Sequence, residues 1–213
     1  MKKYLFALVM IALTVLAWII TYSHLPNELA THWGISGKAD DFSKKPTAIA
    51  TLVGIMIVQY ILMVLIPKID PRRNYSAFTR AYLTIFNTMF LVLFIINLIT
   101  ILTGLGVKLP IPYLGSFILG AIFMVFGNFL QQVRPNFFLG IRTPWTLSSE
   151  NVWRLTHRLS SRIFVLAGII IVLTAFIPES FTEPIIFIAA IGSILLSVFA
   201  SYFIFQKELD KKA

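Results

Sequence analysis

The sequence predicts an all-α, polytopic integral membrane protein with six transmembrane helices and a cytoplasmic amphipathic helix between the fourth and the fifth. Three observations predict it. Six long apolar stretches divide the chain, and lysines and arginines fall almost entirely on alternate connections between them. With 58% hydrophobic and 13% charged residues, a chain of 213 residues carries more apolar surface than one water-soluble core can hide.

The stretches run from Tyr4 to Tyr22, Ala48 to Ile66, Ala81 to Thr103, Tyr113 to Gln131, Ile163 to Ile177 and Ile185 to Phe205. Most approach the roughly 20 residues a helix needs to cross a hydrocarbon core of about 30 Å. The fifth is the shortest, and the helix leading into it is expected to carry its cytoplasmic end. With the N-terminus inside, the cytoplasmic side holds Lys2, Lys3, Lys68, Arg72, Arg73, Arg80, Arg134, Arg142, Arg154, Arg158, Arg162, Lys207, Lys211 and Lys212, which is 14 of the 18 basic residues. Positive charge in short loops resists translocation, so both termini are expected in the cytoplasm.

The same loops explain the net charge of +9, so direct nucleic-acid binding is not expected. The first apolar run is longer than the core of a secretory signal and reads as a retained anchor. The chain has no cysteine, which removes disulfides, thiolate metal sites and a cysteine nucleophile. The best internal boundary lies near Arg72, giving an N-terminal two-helix domain with an external loop, residues 1–72, and a four-helix domain, residues 73–213.

Three connections are long enough to carry more than a turn. The outer loop from Ser23 to Thr47 holds Pro26, Gly34 and Gly37, which favour a compact, turn-rich cap over a long helix. The loop from Pro67 to Arg80 contains Asp70-Pro71-Arg72-Arg73-Asn74, a turn before the third span. The third connection contains Arg134-Pro135-Asn136 and then Gly140-Ile141-Arg142-Thr143-Pro144-Trp145, where two prolines and a glycine preclude a continuous helix. Ser148 is the expected N-cap of a following helix, with Glu150 in its first turn. From Ser149 to Arg162 the apolar residues Val152, Leu155, Leu159 and Ile163 share one face, and Arg154, Arg158 and Arg162 another, as in a helix lying at a membrane surface and leading into span five.

Candidate chemistry is sparse. No acid, lysine or arginine sits near the middle of a span, where ion-coupled carriers commonly keep their working groups. Gln59, Asn87, Asn97 and Asn128 lie in or near spans and serve either as interhelical hydrogen-bonding groups or as the lining of a carrier for small molecules or peptides. His24, Glu28 and His32 are spaced by four, but Pro26 and Gly34 break the helix that would align them as metal ligands. Arg142, Trp145, Trp153, Arg154, His157 and Arg158 form an aromatic and cationic set that fits either a cytoplasmic partner or membrane anchoring. His157 has no nearer acid than Glu150, seven residues back, and no nucleophile elbow occurs, so no catalytic residue, metal or cofactor is assigned.

The run Asn136-x-x-x-Gly140-Ile141-Arg142-Thr143-Pro144-Trp145-Thr146-Leu147, with Trp153 and Thr156-His157-Arg158 after it, resembles the signature of the SdpI family of bacterial immunity proteins. Leu25-Pro26, His32-Trp33, Gly37 and Asp40 resemble a small membrane domain of unknown function, DUF1648, often found ahead of it. The resemblance implies a non-enzymatic, six-span protein of the bacterial cell membrane that confers resistance to a secreted peptide toxin of the SdpC type. It also implies a receptor that holds a transcriptional autorepressor at the membrane. On this basis His32, Trp33, Gly37 and Asp40 are candidates for toxin binding. Asn136, Gly140, Arg142, Thr143, Pro144, Trp145, Trp153, Thr156, His157 and Arg158 are candidates for partner binding or for a structural motif.

Overall fold

The computed structural model describes residues 2–34 and 36–211. Ile35 of the outer loop and Lys212 of the C-terminal basic cluster lie outside the described residues. The long helices are α1 (Leu5–Thr21), α2 (Lys45–Ile69), α3 (Thr79–Gly104), α4 (Ile111–Leu130), α6 (Glu150–Leu173) and α7 (Glu179–Asp210), with a short α5 (Pro144–Ser148) ahead of α6. Six of these, extended by flanking turns, are long and apolar enough to cross a membrane, as the hydropathy predicts. Their exposed residues are large and apolar, among them Ile19, Ile20, Phe187, Ile188, Leu196 and Phe203. In water such surfaces would be untenable; in lipid they are the solvated face.

The amphipathic segment expected ahead of span five runs straight into it, because α6 is one unbroken helix of 24 residues. Its N-cap is Ser149, not Ser148: the Ser149 hydroxyl accepts from the Val152 amide. The shift by one residue follows from α5. Thr143 and Pro144 start a helical turn that carries Ser148 as its last residue and leaves Ser149 extended, at φ −140° and ψ 124°, where an N-cap belongs.

The outer loop holds a structure the sequence reading did not assign. Strands β1 (Glu28–Trp33) and β2 (Ala39–Lys44) pair antiparallel, Glu28 opposite Lys44 and Trp33 opposite Ala39, with register irregularities flanking His32. An isolated two-stranded hairpin is marginal, so it needs an anchor. Leu29 supplies one, packing with Trp18, Leu25, Ala48, Leu52 and Ile101 in a buried cluster. Lys45 supplies another, its ammonium donating to the Tyr22 and Leu25 carbonyls at 2.9 Å each.

The chain forms two compact units, one of residues 1–65 and 86–115, the other of residues 66–85 and 116–213. In the first, a buried bond at 2.8 Å from the Trp18 indole to the Asn97 amide oxygen joins α1 to α3. In the second, α4 meets α6 through glycines. A Cβ on Gly120 would lie 2.7 Å from the Gly168 carbonyl, one on Gly168 2.6 Å from the Gly120 carbonyl, and one on Gly127 2.8 Å from the Ser161 carbonyl. Lipid tails are as apolar as leucine, so helices in a bilayer associate through close backbone approach and interhelical hydrogen bonds. Ser116 and Thr174, 3.1 Å apart between their hydroxyls, add such a bond. Gly168→Leu is expected to push α4 off α6 and to cost about 1–3 kcal/mol, read as a lower unfolding temperature in detergent. An unchanged temperature would refute the close approach.

Candidate functional site

Two clusters gather the candidate residues, one in each unit. In the hairpin, His32 Nδ1 and an Asp40 carboxylate oxygen are 2.6 Å apart. Thr31 donates to Asp41 at 3.2 Å. Gly37 takes φ 75°, a left-handed turn that excludes most side chains, and a Cβ there would lie 2.8 Å from Pro112 Cγ, so the turn rests on the start of α4. Trp33 is half-buried, whereas His32 and Asp40 are exposed. The hairpin thus brings His32, Trp33, Gly37 and Asp40 onto one structural element.

The second cluster is built around the irregular stretch between α4 and α5. Asn136, fully buried, holds it by local bonds. Its amide oxygen accepts from the Phe138 and Leu139 amides at 2.8 and 2.6 Å, and its amide nitrogen donates to the Arg134 and Leu139 carbonyls at 2.8 and 2.9 Å. Asp70, 1% exposed, grips the same stretch from the connection after α2. Its carboxylate accepts from the Arg72 amide at 2.7 Å, the Phe137 amide at 2.9 Å and the Tyr75 hydroxyl at 3.1 Å. No ion pair meets this charge among the described residues; hydrogen-bond donors do. The Arg72 guanidinium donates to the Leu147 carbonyl at 2.9 Å and that of Arg142 to the Phe137 carbonyl.

Gly140 then passes over two stacked rings on α6. Trp153 and His157, one turn apart, lie 4.1 Å between centroids and 18° from parallel. Gly140 adopts φ 111°, and a Cβ there would intrude on His157 Nε2. Both imidazole nitrogens are used: Nδ1 donates to the Trp153 carbonyl at 2.8 Å and Nε2 accepts the Ile141 amide at 3.0 Å. This pair of bonds fixes the uncharged Nδ1–H tautomer. The Trp153 indole donates to the Val133 carbonyl at 2.8 Å.

Thr143 and Thr146 complete the stretch by capping each other across Pro144, which occupies the first turn of α5. The Thr143 hydroxyl also lies 3.0 Å from that of Ser201, and the Trp145 ring packs edge-on against Tyr202 at 5.1 Å, so both sit on α7. Farther along α7, Glu208 accepts from the hydroxyl of Ser149 and the side-chain amide of Asn151 at the start of α6. Of the candidate set, Asn136, Thr143, Trp153, Thr156 and His157 are buried, Gly140 and Trp145 half-buried, and Arg142, Pro144 and Arg158 exposed. The Thr156 hydroxyl has no hydrogen-bond partner among the described residues. Among the described residues, no group of three His, Asp or Glu side chains is placed to hold a metal; His24 approaches Ser23, and His32 approaches Asp40.

The comparisons with known proteins fall on these same segments. Residues 132–203 match the SdpI/YfhL protein family and residues 9–57 match DUF1648, a domain of unknown function. The immunity protein SdpI of Bacillus subtilis (strain 168) is 28% identical over 207 residues, covering 97% of this chain and 98% of that protein. Residues 132–203 thus carry the likeness to the SdpI/YfhL family. No solved structure matches it.

Around this stretch the sequence reading missed Asp70, Tyr75 and Glu208. Asp70 stands 67 positions from its Phe137 partner, so no local spacing betrays the contact; an acid in an otherwise basic connection was the available signal. Asp70→Asn keeps the size but replaces one acceptor oxygen with a donor facing backbone N–H groups. It is expected to cost about 1–3 kcal/mol and to speed trypsin cleavage at Arg142. Unaltered melting and cleavage in detergent would show that the carboxylate does not hold the stretch. Gly140→Ala, strained in backbone and blocked by His157, is expected to produce the same protease sensitivity with Asp70 intact.

Proposed function

We propose that this multi-pass membrane protein is a non-enzymatic immunity protein of the bacterial cell membrane, protecting its cell from a secreted peptide toxin of the SdpC type. The alignment with the Bacillus immunity protein carries the proposal, because it runs almost end to end in both chains. The distribution of basic residues supports cytoplasmic termini, with the hairpin outside and the Asn136 stretch inside. The division is placed near Arg72: residues 1–72 carry the toxin-facing hairpin and residues 73–213 the cytoplasmic motif, with the two family matches on either side.

His32, Trp33, Gly37 and Asp40 are proposed to meet the toxin. An aromatic ring beside an exposed His–Asp pair on a hairpin offers both apolar and polar contact to a peptide. On the other side, the exposed Arg142, Pro144 and Arg158 are proposed to face a cytoplasmic transcriptional repressor, while the buried Asn136, Thr143, Trp153 and His157 hold the surface in shape. A carrier would need Gln59, Asn87, Asn97 and Asn128 to line a lumen. Instead Gln59 donates to the Phe86 carbonyl, Asn97 is taken up by Trp18 and the Leu93 carbonyl, and Asn128 is exposed, which leaves only the Asn87 amide oxygen buried without a partner among the described residues, so immunity is preferred to transport.

Expression in a toxin-sensitive strain with a fluorescent fusion of the cognate repressor separates the two roles. Survival under toxin is expected from the wild-type chain; its absence at normal membrane abundance counts against immunity. Arg142→Ala and Arg158→Ala are expected to weaken repressor recruitment while leaving survival and insertion unchanged. Loss of folded protein in both would assign these arginines to structure instead.

A further inference from the structure

The second unit contains a groove of about 420 Å³ whose lining includes Asn74, Val133, Arg134, Glu150, Trp153 and Arg154. Its walls are pinned. Trp153 is tied to the Val133 carbonyl, Asn74 donates to the Pro135 carbonyl at 2.9 Å, and Arg154 is positioned by a 2.8 Å bond to the Asn151 side chain. The backbone and ring walls of the groove are thus fixed, and a ligand has only the Arg134 and Glu150 side chains to order.

Its charges are arranged unusually. The Arg134 guanidinium and the Glu150 carboxylate each lack a hydrogen bond or ion pair among the described residues, and Arg154 has used a single nitrogen. Opposite charges therefore line one groove without neutralising each other. Glu150 has a local reason to be where it is, since the first turn of α6 favours a carboxylate, but this leaves its oxygens free to accept. An anion alone would meet two guanidiniums and be repelled by the carboxylate; a ligand with a phosphate and an ammonium a few bonds apart satisfies all three.

The groove's position indicates where such a ligand comes from. Asn74 precedes α3, Val133 and Arg134 follow α4, and Glu150 begins α6. Successive spans alternate in direction, so these three helix ends lie at one face of the membrane, at the level of lipid head groups. Val133 and Trp153, 2% and 1% exposed, close the groove on an apolar floor. We infer that the groove binds the zwitterionic phosphoethanolamine head group of a membrane phospholipid, Arg134 and Arg154 holding the phosphate and Glu150 the ammonium.

Native mass spectrometry of the purified full chain tests this, with equimolar phosphatidylethanolamine, phosphatidylcholine and phosphatidylglycerol of identical acyl chains. Retention of phosphatidylethanolamine about tenfold above phosphatidylcholine is expected, a ratio fitting one charge-assisted hydrogen bond. Glu150→Gln should erase that preference, and Arg134→Gln with Arg154→Gln should abolish retention, both with unchanged helicity. Should the double variant unfold, Arg134→Lys, retaining charge without the fork, should still bind but more weakly. Phosphatidylglycerol retained as well as phosphatidylethanolamine, or lipid retention indifferent to these substitutions, would overturn the inference. So would binding of soluble phosphoethanolamine as tight as that of the lipid, or displacement of the lipid by an acidic peptide.

Discussion

At the edge of a bilayer the backbone has few places to leave an N–H or a carbonyl unpaired, and every other feature of the second unit answers to that constraint. Residues 133–149 separate the long helices α4 and α6, with only the short α5 among them. They persist because side chains stand in for helical partners: Asn136 and Asp70 take the amides of residues 137–139, His157 takes that of Ile141, and Thr143 and Thr146 take one another's. The run from Asn136 to Thr146 thus supplies many of the groups that satisfy the backbone across this interruption. Its conformation also depends on residues outside the motif, since Asp70 and Arg72 reach it from the connection after α2.

Packing between helices follows the same logic of scarcity. Without a hydrophobic driving force between spans, the structure uses backbone proximity at Gly120, Gly127 and Gly168 and isolated polar contacts such as Ser116 with Thr174 and Trp18 with Asn97. Each such contact is worth little, averaging about 0.6 kcal/mol in a measured membrane protein, so their value is geometric. A hydroxyl pair or an indole-to-amide bond is satisfied in one register of two helices and lost when either slides by a turn. A separate contact, the hydroxyl of Thr143 with that of Ser201, ties the irregular stretch to α7.

The six spans were legible because lipid imposes a long, nearly charge-free signature that composition alone reveals. The hairpin was not. Its strands mix Glu28, His32, Asp40 and Asp41 with only a few apolar residues, and the deciding contact, Leu29 in the cluster with Trp18 and Ile101, joins segments far apart in sequence. Glycine and proline correctly marked a turn-rich loop, but Gly37 closes a hairpin instead of a coil, and nothing nearby distinguishes the two. The cap at Ser149 was missed by one residue for a comparable reason: Ser148 and Ser149 are chemically alike, and α5 decides between them. Local chemistry placed the helices, whereas partners tens of residues away placed the loops.

That distinction bears on how a short membrane protein divides labour among its side chains. In the cytoplasmic motif as proposed, recognition is left to side chains the fold does not fully consume, such as Arg158, whereas nearly every hydrogen-bonding atom of Asn136 and His157 is already committed. Arg142 is the instructive intermediate. One of its nitrogens supports the Phe137 carbonyl while the side chain remains exposed, so it both holds the stretch and presents charge. A guanidinium suits that double duty because its five donors diverge from one rigid plane, which a lysine ammonium does not offer. Where structure and recognition share a side chain in this way, a partner that engages the outer donors necessarily acts on the loop the inner donor supports.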